Sequence, residues 1–257
     1  MVMETYRFVG IDGCPDGWFC VGLDADAGWR IDMIAAEAIA GFLATATVAF
    51  IDIPIGLKDT GGTERACDRQ ARLALGRPRG SSVFPAPARA SLCARDFSEA
   101  LMINRRQTGR GISKQSWMIA PKIRLVDEAL QADIALRSVL HESHPEVCFW
   151  ALNGATAMLH NKKTVSGRNE RIALLRRFFP AADALHAEAL QRYRRRQVAV
   201  DDVLDAMVLA ISARLGRSAY RTLPENPPCD STGLAMQIVF SVPPSLEVPV
   251  KHLYRRE

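Results

Sequence analysis

Phe8-Val9-Gly10-Ile11-Asp12-Gly13 reads as a short buried strand that ends on a carboxylate, and Val48-Ala49-Phe50-Ile51-Asp52-Ile53-Pro54 repeats that pattern further along the chain. Two more aspartates, Asp202 and Asp205, open the helical run from Val203 to Ile211. An ionised carboxylate at the edge of a core is costly unless something pairs with it. A shared divalent cation satisfies several such groups at once, which points to metal-dependent phosphodiester chemistry.

Around these segments the elements are readable in order. Cys14-Pro15-Asp16-Gly17 is a turn, and residues 18–23 and 29–34 are β-favouring runs separated by polar residues, so the first three strands are hairpin-connected. Alanine-rich residues 35–46 read as a helix leading into the strand at 48–53. A strand–helix–strand crossover of this kind makes parallel neighbours. Residues 138–143 read as a fifth strand, and Pro145 begins a short helix ending at Asn153-Gly154. Residues 169–178 form a basic amphipathic helix, and 200–215 is apolar nearly all round, a helix to be buried against the sheet. Residues 233–242 suggest one more strand.

Residues 58–121 break the pattern and read as a helical insertion on a single domain, since no linker-like tract delimits them. Gly61-Gly62-Thr63 is expected to cap a helix running to Leu75, with Arg65, Arg69 and Arg72 sharing one face. Residues 76–87 are then a Gly/Pro/Ser loop containing Arg77, Arg79, Ser81 and Ser82. Pro121 is expected at a helix start, followed by the apolar stripe Ile123, Val126, Leu130 and Ile134. The single domain spans residues 1–257, and 241–257 is a C-terminal tail.

Composition narrows the class. With 257 residues, 48% of them hydrophobic and 24% charged, the chain is long enough for a full core. No stretch approaches the roughly 18 apolar residues of a membrane span, and Met1–Gly10 lacks the pattern of a signal peptide. Six cysteines without CxxC spacing indicate reduced thiols, not a disulfide frame or zinc site. The expectation is a cytoplasmic protein with no membrane partner. The net charge of +5 hides a stronger pattern. Residues 58–124 hold 14 Lys/Arg against 5 Asp/Glu, residues 162–196 hold 10 against 3, and the remainder, with all four aspartates, holds 9 against 20. Basic segments around an acidic centre suit a polyanion drawn to bound metal, although solvated arginine-rich helix faces produce the same counts.

Three antiparallel strands, a helix, a fourth strand, an insertion, a fifth strand and a buried C-terminal helix resemble the ribonuclease H-like fold, an α/β architecture with a five-stranded mixed sheet and flanking helices. The resemblance implies that the first and fourth strands are central neighbours. Asp12 then lies beside Asp52, and the last helix supplies Asp202 and Asp205 from above.

Local motifs sharpen this. Gly10-Ile11-Asp12-Gly13 with Gly17-Trp18, and Ile51-Asp52-Ile53-Pro54-Ile55-Gly56-Leu57, resemble the domain-of-unknown-function 429 family of predicted ribonuclease H-like nucleases. Arg65-Ala66-Cys67-Asp68, Ser81-Ser82-Val83-Phe84, Pro121-Lys122-Ile123 and Glu142-Ser143-His144-Pro145-Glu146 follow in the family's order. Lys163-Thr164 with Gly167-Arg168, and Asp201-Asp202-Val203-Leu204-Asp205-Ala206, complete a match over roughly residues 8–240. The resemblance implies a nuclease acting on an unidentified nucleic acid. A homodimer is an option raised by resolvase-like relatives of the fold.

The chemistry can be stated from the residues. Two Mg²⁺ or Mn²⁺ ions about 3.5–4 Å apart activate a water and stabilise the leaving oxygen of a phosphodiester, and both favour oxygen ligands. Asp12 is assigned as the bridging ligand, Asp52 to one metal, and Asp202 with Asp205 to the other. Glu142 is assigned as an additional catalytic carboxylate and His144 as a candidate proton carrier. Arg65, Arg72, Arg79 and Lys122 are assigned to substrate phosphate. Each has a structural alternative: Asp201 or Asp202 can cap a helix, Asp12 can close a turn, and His144 can pack at a helix start. The tryptophans are not interleaved with basic residues and read as core.

Three other functions compete. One is a nucleic-acid-binding protein without turnover. Another is an ATP-dependent sugar or acetate kinase-like protein, since Asp12-Gly13 with Gly17 also resembles a phosphate loop. That class needs a second copy of the fold, and the chain contains no internal repeat. The third is a phosphatase or nucleotide hydrolase using the same metals.

Overall fold

The first three strands form a meander because a tight turn and a polar stretch separate three β-favouring runs. In the computed structural model, which describes residues 6–26, 28–244 and 246, β1 (Tyr6–Cys14), β2 (Gly17–Leu23) and β3 (Trp29–Ile34) pair antiparallel. A short helix, α1 (Ile39–Leu43), leads to β4 (Ala46–Ile51), which pairs parallel to β1. β5 (Leu140–Glu142) pairs parallel to β4 on its far side. The result is a five-stranded mixed sheet of order β3-β2-β1-β4-β5. Ile11 stands opposite Ile51, and the Asp52 amide donates to the Ile11 carbonyl at 3.0 Å. Asp12 and Asp52 therefore leave the sheet at the same end.

Strand periodicity decides which helices cover which face. Helices α2 (Ala66–Leu75), α3 (Phe97–Thr108) and α4 (Lys114–Ala132) lie between β4 and β5 in the chain. After β5 come α5 (Pro145–Leu152), α6 (Val165–Arg176), α7 (Ala182–Arg192) and α8 (Val200–Arg214). Val9, Ile11, Trp18, Cys20, Ala49 and Ile51 pack with α1 and α4 on one face. Phe19, Val21, Val48 and Phe50 pack with α2 and α5–α8 on the other. α8 lies directly over β1: a Cβ added at Gly10 would stand 2.0 Å from the Ala206 carbonyl oxygen and 2.3 Å from the Ala210 nitrogen. Glycine is required there because nothing larger lets the helix approach this closely.

Several local expectations are corrected. α2 starts at Ala66 without a side-chain cap, so Gly61-Gly62-Thr63 does not cap it. Arg65 is buried whereas Arg69 is exposed, because Arg65 turns inward onto two carboxylates; the three arginines do not share a solvent face. Pro121 lies inside α4, whose start is set earlier by Ser113 accepting a hydrogen bond from the Ser116 amide. The lost backbone donor and ring clash cost about 3 kcal/mol in a helix interior. Buried Ala120, Ile123, Val126 and Leu130 hold the helix to the sheet against that penalty. The strand expected at 233–242 is β7 (Ile238–Ser241), paired with β6 (Tyr220–Leu223) in a separate two-stranded sheet. β6, α3 and α7 were not anticipated. Tyr220-Arg221-Thr222-Leu223 is too short to show a period, whereas α3 carries a readable signal in Asp96, which accepts the Glu99 amide as an N-cap.

All six cysteines are free. Among the described residues no helix is long and apolar enough to cross a membrane. Most of the expected 241–257 tail lies outside the described residues.

Candidate functional site

Asp12 lies near the end of β1 on the side facing α8, Asp52 follows β4, and Asp205 sits on the first turns of α8. All three line one cleft of about 460 Å³, together with Glu146, Asp201, Lys122, Lys162, Lys163 and His144. Asp12 and Asp205 are buried, and Asp12 Oδ1 accepts the Gly13 amide at 2.7 Å.

Electrostatics tie these carboxylates into one group. Burial, then the charges of Asp52, Asp205 and Asp202, hold the Asp12 carboxyl well above its usual range. Burial pushes Asp205 up to about 6, with Asp52 and Glu146 adding to it and Lys162 pulling it back. Asp52 is raised by burial and by Glu146, against His144 and Lys162. Like charges that interact across a partly dry site resist joint ionisation, so the group calls for added positive charge.

Lys162 supplies part of that charge, and sequence reasoning passed over it. Its ammonium donates to Asp205 Oδ2 and lies 3.5 Å from Asp201. Burial opposes its charge, yet Asp205, Asp12 and Asp201 hold its pKa above the ordinary lysine value. Glycine again allows the placement: a Cβ at Gly167 would stand 1.9 Å from the Asn161 carbonyl oxygen, so the turn bearing Lys162 rests directly on the start of α6. Glu146, in the first turn of α5, stood in a motif but was given no role. It is buried and ion-paired through Oε1 to the fully buried Arg171, which also donates to the His160 and Gly167 carbonyls. The motif Glu142-Ser143-His144-Pro145-Glu146 carried the signal, without indicating which of its two cleft-lining acids is taken up by an arginine through both oxygens.

Other assignments change. Glu142 is a structural anchor: both its oxygens accept from Arg65, each at 2.7 Å, and Oε2 also accepts the Ile55 amide at 2.6 Å. Glu142 lines the cleft, but three of its roughly four acceptor sites are occupied by Arg65 and the Ile55 amide. Arg65 donates in addition to Asp68 and to the Ile55 and Gly56 carbonyls, so its five N–H groups are committed and none is free for phosphate. Cys67, Asp68 and Glu142 bring ligand atoms within 4.8 Å of one another, but Arg65 already neutralises that cluster. Arg72 pairs with Glu64 and donates to the Val83 carbonyl, outside the cleft lining. Arg79 does not line the cleft either.

Asp202 also lies outside the lining, and its Oδ2 accepts the Ala199 amide at 2.9 Å at the start of α8. That helix-capping contact is the structural alternative to a metal ligand, and Asp201 faces the cleft in its place. Lys122 does reach the site: its ammonium donates to the Cys14 carbonyl at 2.7 Å and lies 5.6 Å from the centre of the Trp18 ring. His144 Nδ1 is buried without a hydrogen-bond partner among the described residues, and Nε2 is 3.4 Å from the Ser82 carbonyl oxygen.

The basic segment at 58–124 is less available than its charge implied. Arg65, Arg72, Arg89, Arg95, Arg110 and Arg124 are each in ion pairs within the chain.

The donor set suits a hard divalent cation. Asp12, Asp52, Asp205 and Glu146 offer only oxygen, and Asp205 Oδ1 and Glu146 Oε2 are buried with no hydrogen-bond partner among the described residues. Those orphan oxygens and the raised carboxyl pKa values describe the same deficit of positive charge. A family model described as a protein of unknown function, DUF429, matches residues 10–228. No curated protein and no solved structure matches the chain.

Proposed function

The chain belongs to the DUF429 family of proteins of unknown function, and from that premise we propose that it is a metal-dependent nuclease, hydrolysing phosphodiester bonds on a ribonuclease H-like fold. The fold reading is supported by the strand order β3-β2-β1-β4-β5, with three antiparallel strands, a parallel crossover and α8 lying over β1. Residues 58–121 are then an insertion between β4 and β5 of a single domain.

One observation carries the function: acids from three separated segments, Asp12, Asp52 and Asp205, meet in one cleft, where Asp52 and Asp205 raise the pKa of Asp12 and Asp52 raises that of Asp205. Asp12, Asp52, Asp205 and Glu146 would hold Mg²⁺ or Mn²⁺, and Asp202 contributes at longer range through its charge. The ions would supply an activated water and charge stabilisation at the leaving oxygen. Lys122 and Lys163 line the cleft and attract the substrate phosphate, while Lys162 partly neutralises Asp205 and Asp12. Arg171 fixes Glu146, and the Arg65–Glu142 pair fixes the loop after Asp52.

The ammonium of Lys162 among the acids favours one second reading, a nucleic-acid-binding protein without turnover. Wild type and Asp52→Asn, incubated with structured DNA, RNA, hybrids and nucleotides in Mn²⁺ and in EDTA, separate the two. Cleavage that needs Mn²⁺ and is lost in the variant supports the nuclease. Salt-sensitive binding without cleavage, unchanged in Asp52→Asn, overturns it.

A further inference from the structure

The acidic cleft has a second wall of different chemistry. Phe84 lines it and is 41% exposed, with Ile53 and Ile119 contributing apolar surface beside it. A lone exposed aromatic is unremarkable. Phe84 differs in how firmly its loop is held. On one side the Val83 carbonyl accepts Arg72 Nη1 at 3.0 Å. On the other, the Pro85 carbonyl accepts Ser116 Oγ at 3.2 Å, and the Ala86 amide donates to Asp68 Oδ2 at 3.2 Å. Pro85 also restricts the backbone of Phe84 to extended conformations. The ring is thus presented on a tethered loop, which lowers the ordering cost of binding against it.

The tether is shared with the acids. Asp68, which holds the Phe84 loop, is bonded to Arg65, and Arg65 and Glu142 together hold the backbone of Ile55 and Gly56 beyond Asp52. One buried ion network therefore sets the aromatic ring and the loop after Asp52 in a common frame. Lys122 and Lys163 line the same cleft. An aromatic face beside cations and carboxylates matches a nucleotide, with the base on the ring and the phosphate at the charges. At about 460 Å³ the cleft is the size of a small-ligand pocket, which suits one unstacked nucleotide better than a continuous duplex.

We infer that Phe84 is a stacking platform for an unpaired nucleobase, so that the acidic site acts on a phosphodiester next to an unpaired base in a single strand, loop or flap. The inference rests on the phosphodiester reading above and names its substrate class.

The test is binding without turnover. Short DNA and RNA strands carrying 2-aminopurine, single-stranded and fully duplexed, are titrated with the full chain in Ca²⁺, following 2-aminopurine emission and, separately, anisotropy. The expected result is quenching of the single strands, binding weakened about 5- to 150-fold in Phe84→Ala, and quenching retained in Phe84→Trp. Unchanged melting temperatures establish that both variants fold. Binding without quenching, equal binding by Phe84→Ala, preference for duplex, or no binding to any strand overturns the inference. Mn²⁺-dependent cleavage measured on the same unlabelled strands keeps the two claims apart. Quenching without cleavage sinks the nuclease and leaves the platform standing, whereas cleavage indifferent to Phe84→Ala sinks the platform alone.

Discussion

The Lys162 ammonium donates to the Asp205 carboxylate, and the same carboxylate keeps a second buried oxygen, Oδ1, without a hydrogen-bond partner among the described residues. A lysine and a divalent cation would then compete for one acid. In EDTA, Lys162→Met should lower stability by about 1–3 kcal/mol, the cost of removing a charged hydrogen-bond partner. Added Mn²⁺ should restore it, with a larger rise in melting temperature than wild type shows. Equal Mn²⁺-induced shifts in the two proteins would mean that the lysine and the cation do not share a site.

The raised pKa of Asp205 has a definite sign. The folded protein holds its proton up to about pH 6, whereas the unfolded chain releases it near its ordinary value of 3.8. Its contribution to metal-free stability is therefore present below that window and declines as pH rises through it. Cation binding needs the carboxylate, so stabilisation by Mn²⁺ should grow through the same window. Thermal melts at about pH 5 and about pH 7.5, with and without Mn²⁺, check this: the Mn²⁺ shift should be small at the lower pH and large at the higher. A shift independent of pH counts against carboxylate ligation.

Arg65 is expected to matter for stability before activity. Arg65→Ala leaves Asp68 and Glu142 buried without their cation, at a cost of about 3–5 kcal/mol. Arg65→Lys should recover little, since a point charge cannot replace the paired donors. Denaturant unfolding measures both. Near-wild-type stability of Arg65→Ala with weakened substrate binding would instead return Arg65 to the role of phosphate contact.

Gly10→Ala tests how the sheet and α8 are held together. The added Cβ would overlap the Ala206 carbonyl and the Ala210 nitrogen, which are backbone atoms that cannot rotate away. Overpacking of this kind costs about 1–3 kcal/mol or more. The helix must shift, and Asp205 with it, so cation affinity should fall along with stability. Unfolding curves and Mn²⁺ titration of the same sample report the two effects. Unchanged cation affinity would detach α8 from the site.

The aspartates closing apolar runs were legible because a carboxylate there is anomalous on its own terms, and the three-strand meander followed from turns near in sequence, whereas the place of β4 beside β1 came from the fold resemblance. What escaped depended on long-range pairing. Glu142 and Glu146 look alike in Glu142-Ser143-His144-Pro145-Glu146 and both line the cleft, yet Arg65 takes both oxygens of the first, whereas Arg171 pairs with one oxygen of the second and leaves Oε2 without a partner among the described residues. Lys162 was one cation in a basic stretch until the turn at Asn161 set it against Asp205. The arginine excess at 58–124 implied an open basic face, but the arginines pair with acids inside the segment, such as Glu64, Asp68 and Glu99, and with Asp127, Asp230 and Glu142 beyond it. Charge counts over a window do not show which charges meet.

The most direct measurement is calorimetric titration of Mn²⁺ into the metal-free wild type and Asp12→Asn at neutral pH. Wild type should take up Mn²⁺ saturably. Asp12→Asn should lose that uptake while melting in EDTA at the same temperature or about 2–4 °C higher, because one repelling charge has been removed. No uptake by wild type, or uptake unchanged in Asp12→Asn, would contradict a metal centre built on these carboxylates.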